Sequence, residues 1–270
     1  YTILSHRWLP GGELTFSDIS KFAAHQGRLH NFVKLIIFCW ISVQHSCRFV
    51  WFDSGCINKS SSAELEESIR SMFTWYSKSK VCIVHLADTT NVKSFRKDQW
   101  FTRGWTLQEL LAPNSLKFFE KSWRPITSSL DDDDNDKNAN SAAKQSLWDH
   151  ISNMTGISPE HLSTFNFGID RARDTFVWLS KRQTTRIEDM AYCLVGLLGV
   201  PLTIAYGEGE MAFYRLQVEV LQRTADLGLF VWQGQSSVGN SMLAAKPDSF
   251  SSEYSLTIRP LSSSTSTDNV

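Results

Sequence analysis

The chain has 270 residues, with Lys+Arg 27 against Asp+Glu 28 and a formal net charge of −1, so it carries no electrostatic footprint for nucleic acid or an anionic membrane. A hydrophobic fraction of 42% and a charged fraction of 20% exclude a disordered chain and fit one large or two small globular domains with a sizeable core. Five scattered cysteines, Cys39, Cys47, Cys56, Cys82 and Cys193, include no C-x-x-C pair, which argues against a disulfide framework or zinc site and for a reducing, cytoplasmic setting.

The sequence starts at Tyr1 without an initiator Met and reads as a fragment whose upstream targeting signal, if any, lies out of view. Residues 1–5 (Y-T-I-L-S) form the first strand candidate. Residues 17–41 are mixed, and the longest apolar run, 32–43, contains Lys34; it is too short for a bilayer and reads as a buried helix or strand. The run F-V-W-F at 49–52, ending at Asp53, has the composition of a buried strand. Ser61-x-x-Glu64 is a capping-box signal, and Leu65, Ile69, Met72, Phe73 and Tyr76 continue it as the apolar stripe of a helix. A third strand follows at 81–86 (V-C-I-V-H-L).

Residues 100–113 read W-F-T-R-G-W-T-L-Q-E-L-L-A-P, a short helix entered through Gly104 and closed by Pro113. Leu107, Leu110 and Leu111 make its core stripe. Trp105, Gln108, Glu109 and Ala112 then fall on the opposite face, so an aromatic platform and a carboxylate stand four residues apart. The plain alternative is an interfacial Trp beside a solvated Glu. A fourth strand at 116–119 completes a strand–helix alternation that predicts an α/β fold with a mainly parallel sheet flanked by helices.

An acidic Ser/Asn-rich tract, 127–146, interrupts the pattern; its adjacent aspartates lack the alternating spacing of a calcium loop and read as a solvated insertion. A mostly helical extension is expected over 147–232. Within it Ile187, Met190, Ala191, Leu194, Leu197 and Leu198 form one stripe ended by Gly199, and 209–223 forms another. Residues 233–270 are Ser-rich and aperiodic, predicting an irregular tail. Tyr206-Gly-Glu-Gly209 is too short for a phosphate loop and reads as a helix start. The histidines show no metal-ligand spacing, so no metal site is expected.

These blocks together resemble the fungal HET (heterokaryon incompatibility) domain. The resemblance rests on Y-T-I-L-S-H-R-W at 1–8, W-F-D-S-G-C-I-N-K at 51–59, E-E-S-I-R-S-M-F-T-W-Y-S-K-S-K-V at 66–81 and R-G-W-T-L-Q-E-L-L-A-P at 103–113. It continues in T-T-R-I-E-D-M-A-Y-C-L-V-G-L-L-G-V at 184–200 and Y-G-E-G-E-M-A-F-Y-R-L-Q at 206–217, so it covers most of 1–220. Departures are mild: Gly55 replaces a usually larger residue, and His6-Arg7 stands where Tyr-Cys or Tyr-Arg is usual. The resemblance implies a role in programmed cell death on fusion of incompatible fungal individuals, a form of innate immunity.

HET domains are in turn similar to TIR domains, many of which cleave NAD at the nicotinamide–ribose bond. The resemblance then implies a TIR-like (flavodoxin-like) core over 1–126 with Glu109 as the catalytic carboxylate. Ser5, Arg7, Trp8, Asp53 and Trp105 would surround NAD, which is substrate rather than cofactor. In such a site Trp105 or Trp8 stacks on a flat heterocycle and Arg7 meets the pyrophosphate. Plainer roles exist for each: Asp53 capping its loop, Arg7 pairing a surface acid, Trp51 filling core, and Arg103 lying idle rather than touching phosphate. The implied partners are further copies of the chain, through TIR-like surfaces, and an upstream sensor. Two other functions compete: a non-enzymatic signalling scaffold of the same fold, and a nucleotide-binding regulator without turnover.

Overall fold

The computed structural model describes residues 1–8, 12–21, 29–126, 142–164 and 166–251. Its centre is a four-stranded parallel sheet, β1 (Thr2–His6), β2 (Val50–Trp51), β3 (Val81–His85) and β4 (Leu116–Phe119), in the order β2-β1-β3-β4. That is the beginning of the flavodoxin-like order 2-1-3-4-5. Thr2 pairs with Val50 and Val81, and Ser5 with Val84, so β1 is central and β2 forms an edge.

Side-chain alternation assigns each strand's residues to two faces. Leu4, Val81, Ile83 and Phe119 join Phe32, Phe38 and Ile41 of one helix, while Ile3, Cys82, Val84 and Phe118 join the larger cluster on the other side. The first helix group is α1 (Phe16–Ser20) and α2 (Leu29–Gln44), which connects β1 to β2. The opposite face carries α4 (Ser62–Ser77), which follows the short α3 (Asp53–Cys56), and α6 (Thr106–Leu111), which follows α5 (Val92–Phe95). Right-handed crossovers from a strand order that reverses at β1 require this split. The predicted 32–43 run is helical but not buried throughout: Val33, Ile36, Trp40 and Val43 form an exposed stripe on α2.

Local signals explain the helix boundaries. Ser61 Oγ accepts from the Glu64 amide at 3.3 Å, but Glu64 reaches back to the Asn58 amide at 2.8 Å instead of completing the capping box at Ser61. α6 ends at Ala112, just before Pro113, where proline stops the helix.

The acidic residues 127–141 lie outside the described residues, as do 252–270. The extension is α7 (Ala142–Thr155), α8 (Pro159–Ser163), α9 (Ala172–Ser180), α10 (Asp189–Tyr192), α11 (Val195–Leu198) and α12 (Met211–Leu221). The stripe predicted as one helix over 187–198 is therefore two short helices with Cys193 and Leu194 between them. Gly196 sits against α4 so closely that an added Cβ would lie 2.3 Å from Phe73 Cβ, and this contact fixes where α11 lies. The part of the predicted tail that is described lacks long elements yet is packed: Phe250 and Ala244 are buried, and the Gln217 amide bonds both the carbonyl and the amide of Ala244. One apolar cluster runs from Ile3 to Phe250 and so spans the sheet face and the extension.

Candidate functional site

The site is built on the last residues of β1. Ser5 points from the sheet toward α6 because it shares the pleat face of Ile3. The Trp100 indole N–H donates to Ser5 Oγ at 2.7 Å, and the Ser5 hydroxyl in turn donates to Glu109 Oε2. The indole can only donate, so it commits the serine proton to the carboxylate. The Tyr76 hydroxyl, which donates to the Leu4 carbonyl at 3.2 Å, lies within reach of the same carboxylate.

Glu109 is only 8% exposed. Burial pushes its carboxyl up to about 8; the Ser5 hydrogen bond opposes this, the Asp53 charge adds to it, and Tyr76 and Arg103 pull weakly downward. Desolvation wins because, among the described residues, no cation pairs directly with the carboxylate. The unfolded chain ionises this group near its ordinary 4.5, so between 4.5 and 8 the folded state holds the extra proton and stability falls as pH rises. Glu13 behaves oppositely: burial alone would raise it, but His6 and Lys34 hold it near 2, so its contribution is complete above 4.5 and lost as pH falls toward 2. Thermal unfolding from pH 5 to 9 should show a decline that flattens above 8. In Glu109→Gln that decline should shrink by on the order of 1 kcal/mol per pH unit across the window; an unchanged slope would disprove the assignment.

Glu109 lines a cavity of about 340 Å³ together with Trp8, Asp53, Lys59, Arg103, Trp105, Arg186 and Tyr206, among others. This volume is at the lower end for ligand sites and fits a nucleoside-sized group. Asp53 accepts from Trp8 Nε1 at 3.0 Å, and Lys59 Nζ sits 3.4 Å above the Trp8 ring. One face of Trp8 is thus already covered. Across the cavity Asp189 accepts at 2.8 Å from the hydroxyl of Tyr206, whose ring lies 4.3 Å from the Arg186 guanidinium.

The fold brings together Ser5, Trp8, Asp53, Trp105 and Glu109 among the residues singled out from sequence. Arg7 goes elsewhere: its guanidinium holds both Asp88 oxygens, at 2.9 and 3.0 Å, beyond the cavity wall. Of the face opposite the core stripe, Gln108, Glu109 and Ala112 are buried and Trp105 is half-buried, so the plain alternative of a solvated Glu109 does not hold. His6, Lys59, Tyr76, Arg186, Asp189 and Tyr206 join the wall without any local signal in the sequence. Arg186, Asp189 and Tyr206 come from the extension, whose return is permitted by Gly104: an added Cβ there would lie 2.5 Å from Thr184 Cγ2. The Gly207 and Gly209 amides close on Glu188 Oε1 at 2.8 and 3.1 Å, so the Tyr-Gly-Glu-Gly loop wraps an internal carboxylate rather than a phosphate. Among the described residues no cluster of His, Cys, Asp and Glu is arranged to hold a metal.

Residues 1–97 match the family described as heterokaryon incompatibility protein (HET). Over 234 residues, 82% of this chain, the sequence is 37% identical to vegetative incompatibility protein HET-E-1 of Podospora anserina, and the match spans 16% of that protein's length. No solved structure matches at a significant level.

Proposed function

Because the chain belongs to the fungal heterokaryon incompatibility (HET) family, we propose that it acts in vegetative incompatibility as a cell-death effector, hydrolysing NAD at the nicotinamide–ribose bond with Glu109 as the catalytic carboxylate. The observation that carries this reading is the buried Glu109, oriented by Ser5, at the wall of an aromatic and cationic cavity. The sheet order, with the carboxylate on a helix between β3 and β4, supports the TIR-like part of the proposal.

The reaction needs little machinery. The C1′–N bond breaks with its electron pair on the pyridine nitrogen, so nicotinamide leaves neutral and no general acid is required. The ribose passes through an oxocarbenium-like state that a nearby carboxylate stabilises. Water adds at C1′ and gives its proton to that carboxylate. Burial favours the protonated form of Glu109; a cationic nicotinamide ring beside it favours the carboxylate form. Activity should therefore rise with pH toward 8.

Purified protein at a concentration that permits self-association is incubated with NAD, and nicotinamide release is measured beside a Glu109 variant. No release from folded protein under any such condition would overturn the enzymatic reading. Arginine variants sharpen the site. Arg7→Ala should change KM for NAD by less than about twofold, whereas Arg186→Ala should raise it by about tenfold with kcat little altered; the reverse ranking would place the pyrophosphate at Arg7.

One observation favours the scaffold alternative: the exposed stripe Val33, Ile36, Trp40 and Val43 on α2 is a surface suited to a protein partner. Self-association through that surface, an upstream sensor and a cytoplasmic site of action complete the proposal. Among the described residues no helix is long and apolar enough to cross a membrane.

A further inference from the structure

A second cavity, of about 120 Å³, is walled by residues that the Glu109 site does not use, among them Arg96, Lys97, Asp98, Lys181 and Arg182. Four cations therefore face one carboxylate. Both oxygens of that carboxylate are already engaged: Asp98 Oδ2 accepts from the Asp88 amide at 3.0 Å and Thr89 Oγ1 at 2.9 Å, and Oδ1 accepts from the Trp100 amide at 3.0 Å. Arg96, Lys97 and Lys181 make no ion pair among the described residues. All three are exposed side chains of the cavity lining.

Arg182 is the second, independent observation. It is 3% exposed, and its Nη1 donates to the Arg103 carbonyl at 3.0 Å and to Thr106 Oγ1 at 2.9 Å. Its Nη2 is buried with no hydrogen-bond partner among the described residues. A buried guanidinium with an idle donor is costly, and such groups are normally found with an anion or water in place.

We propose that this cavity binds a phosphate-sized oxyanion, free or as the phosphoryl end of a small molecule, between the Arg182 guanidinium and the Arg96, Lys97 and Lys181 rim. A guanidinium fork with flanking ammonium groups is the usual donor set for such an ion, and the volume admits one phosphoryl group with little else. Because the other half of Arg182 holds the Arg103 carbonyl and Thr106 at the start of α6, the bound ion is one residue removed from the helix that carries Glu109. The site stands whether or not the protein hydrolyses NAD.

The test is calorimetric titration at constant ionic strength with inorganic phosphate, pyrophosphate and ATP. The proteins are the wild type, Lys97→Ala/Lys181→Ala, and a control with the same charge loss on exposed lysines elsewhere, Lys21→Ala/Lys78→Ala. All four lysines are exposed, so folding is retained. Saturable binding weakened by about tenfold or more in the first double variant and unchanged in the control supports the site. Phosphate binding identifies a bare oxyanion, and binding of ATP alone identifies a nucleotide phosphate. No saturable binding, or binding that the first double variant weakens no more than the control does, overturns the proposal.

Discussion

Glu109→Gln is expected to abolish nicotinamide release, lowering kcat by at least about 10²-fold, while leaving the protein folded and more stable than wild type above pH 8. The two halves of this expectation have one cause. Glutamine keeps the size of the side chain and offers its amide oxygen to the Ser5 hydroxyl, so the Trp100–Ser5 arrangement persists. What disappears is the negative charge, and a single well-placed electrostatic partner of a developing cation is worth about 10²–10³ in rate. The same charge is what the folded protein is reluctant to hold in a buried position, so its removal relieves stability at high pH. Loss of activity together with loss of fold would point to a structural glutamate. Retained activity would move the catalytic group elsewhere in the cavity.

Gly196→Ala should be the most disruptive small substitution, lowering Tm by about 5–10 °C. The added methyl would lie 2.3 Å from Phe73 Cβ, an atom bonded directly to the α4 backbone and unable to rotate away. Either α11 or α4 must shift, and both belong to the same buried cluster. Gly104→Ala provides the comparison: its nearest neighbour is the Thr184 methyl at 2.5 Å, which can turn aside at the loss of the Thr184 hydroxyl's bond to the Arg186 carbonyl. A cost of roughly 1 kcal/mol is expected there. Differential scanning calorimetry of both variants decides the matter, and a Gly104 variant less stable than the Gly196 one would show that the seam at Phe73 is more pliable than its geometry implies.

The parts of the fold legible from sequence are those with strong local patterning. The mainly apolar stretches at 81–86 and 116–119, the second interrupted by Lys117, became β3 and β4, buried at every strand position as strands covered on both faces are. The stripe from Leu65 to Tyr76 with the Ser61 cap became α4, and Pro113 marked the end of α6. What remained hidden depends on distant chain segments. Glu109 could be solvated when α6 is viewed in isolation, but Ser5 of β1 and Tyr76 of α4 enclose it, and the extension returns some eighty positions later to line the cavity beside it. Arg7 lies outside the cavity wall because Asp88, beyond β3, holds its guanidinium, a pairing that no local motif announces. The break between α10 and α11 has no signal in its own apolar stripe. Gly196 and Gly104 were visible only as glycines, not as points where two segments touch.

The apolar cluster shared by the sheet face and the extension also determines how the chain can be divided. Pieces covering 1–126 and 142–251 would each expose large apolar areas normally covered by the other, and each would carry only part of the cavity wall: Glu109 on the first, Arg186, Asp189 and Tyr206 on the second. Expressed separately, the two polypeptides should find one another and reconstitute the pocket on association. The protein is thereby a natural candidate for split-fragment complementation, in which recovery of the site reports an encounter between two molecules rather than the folding of one.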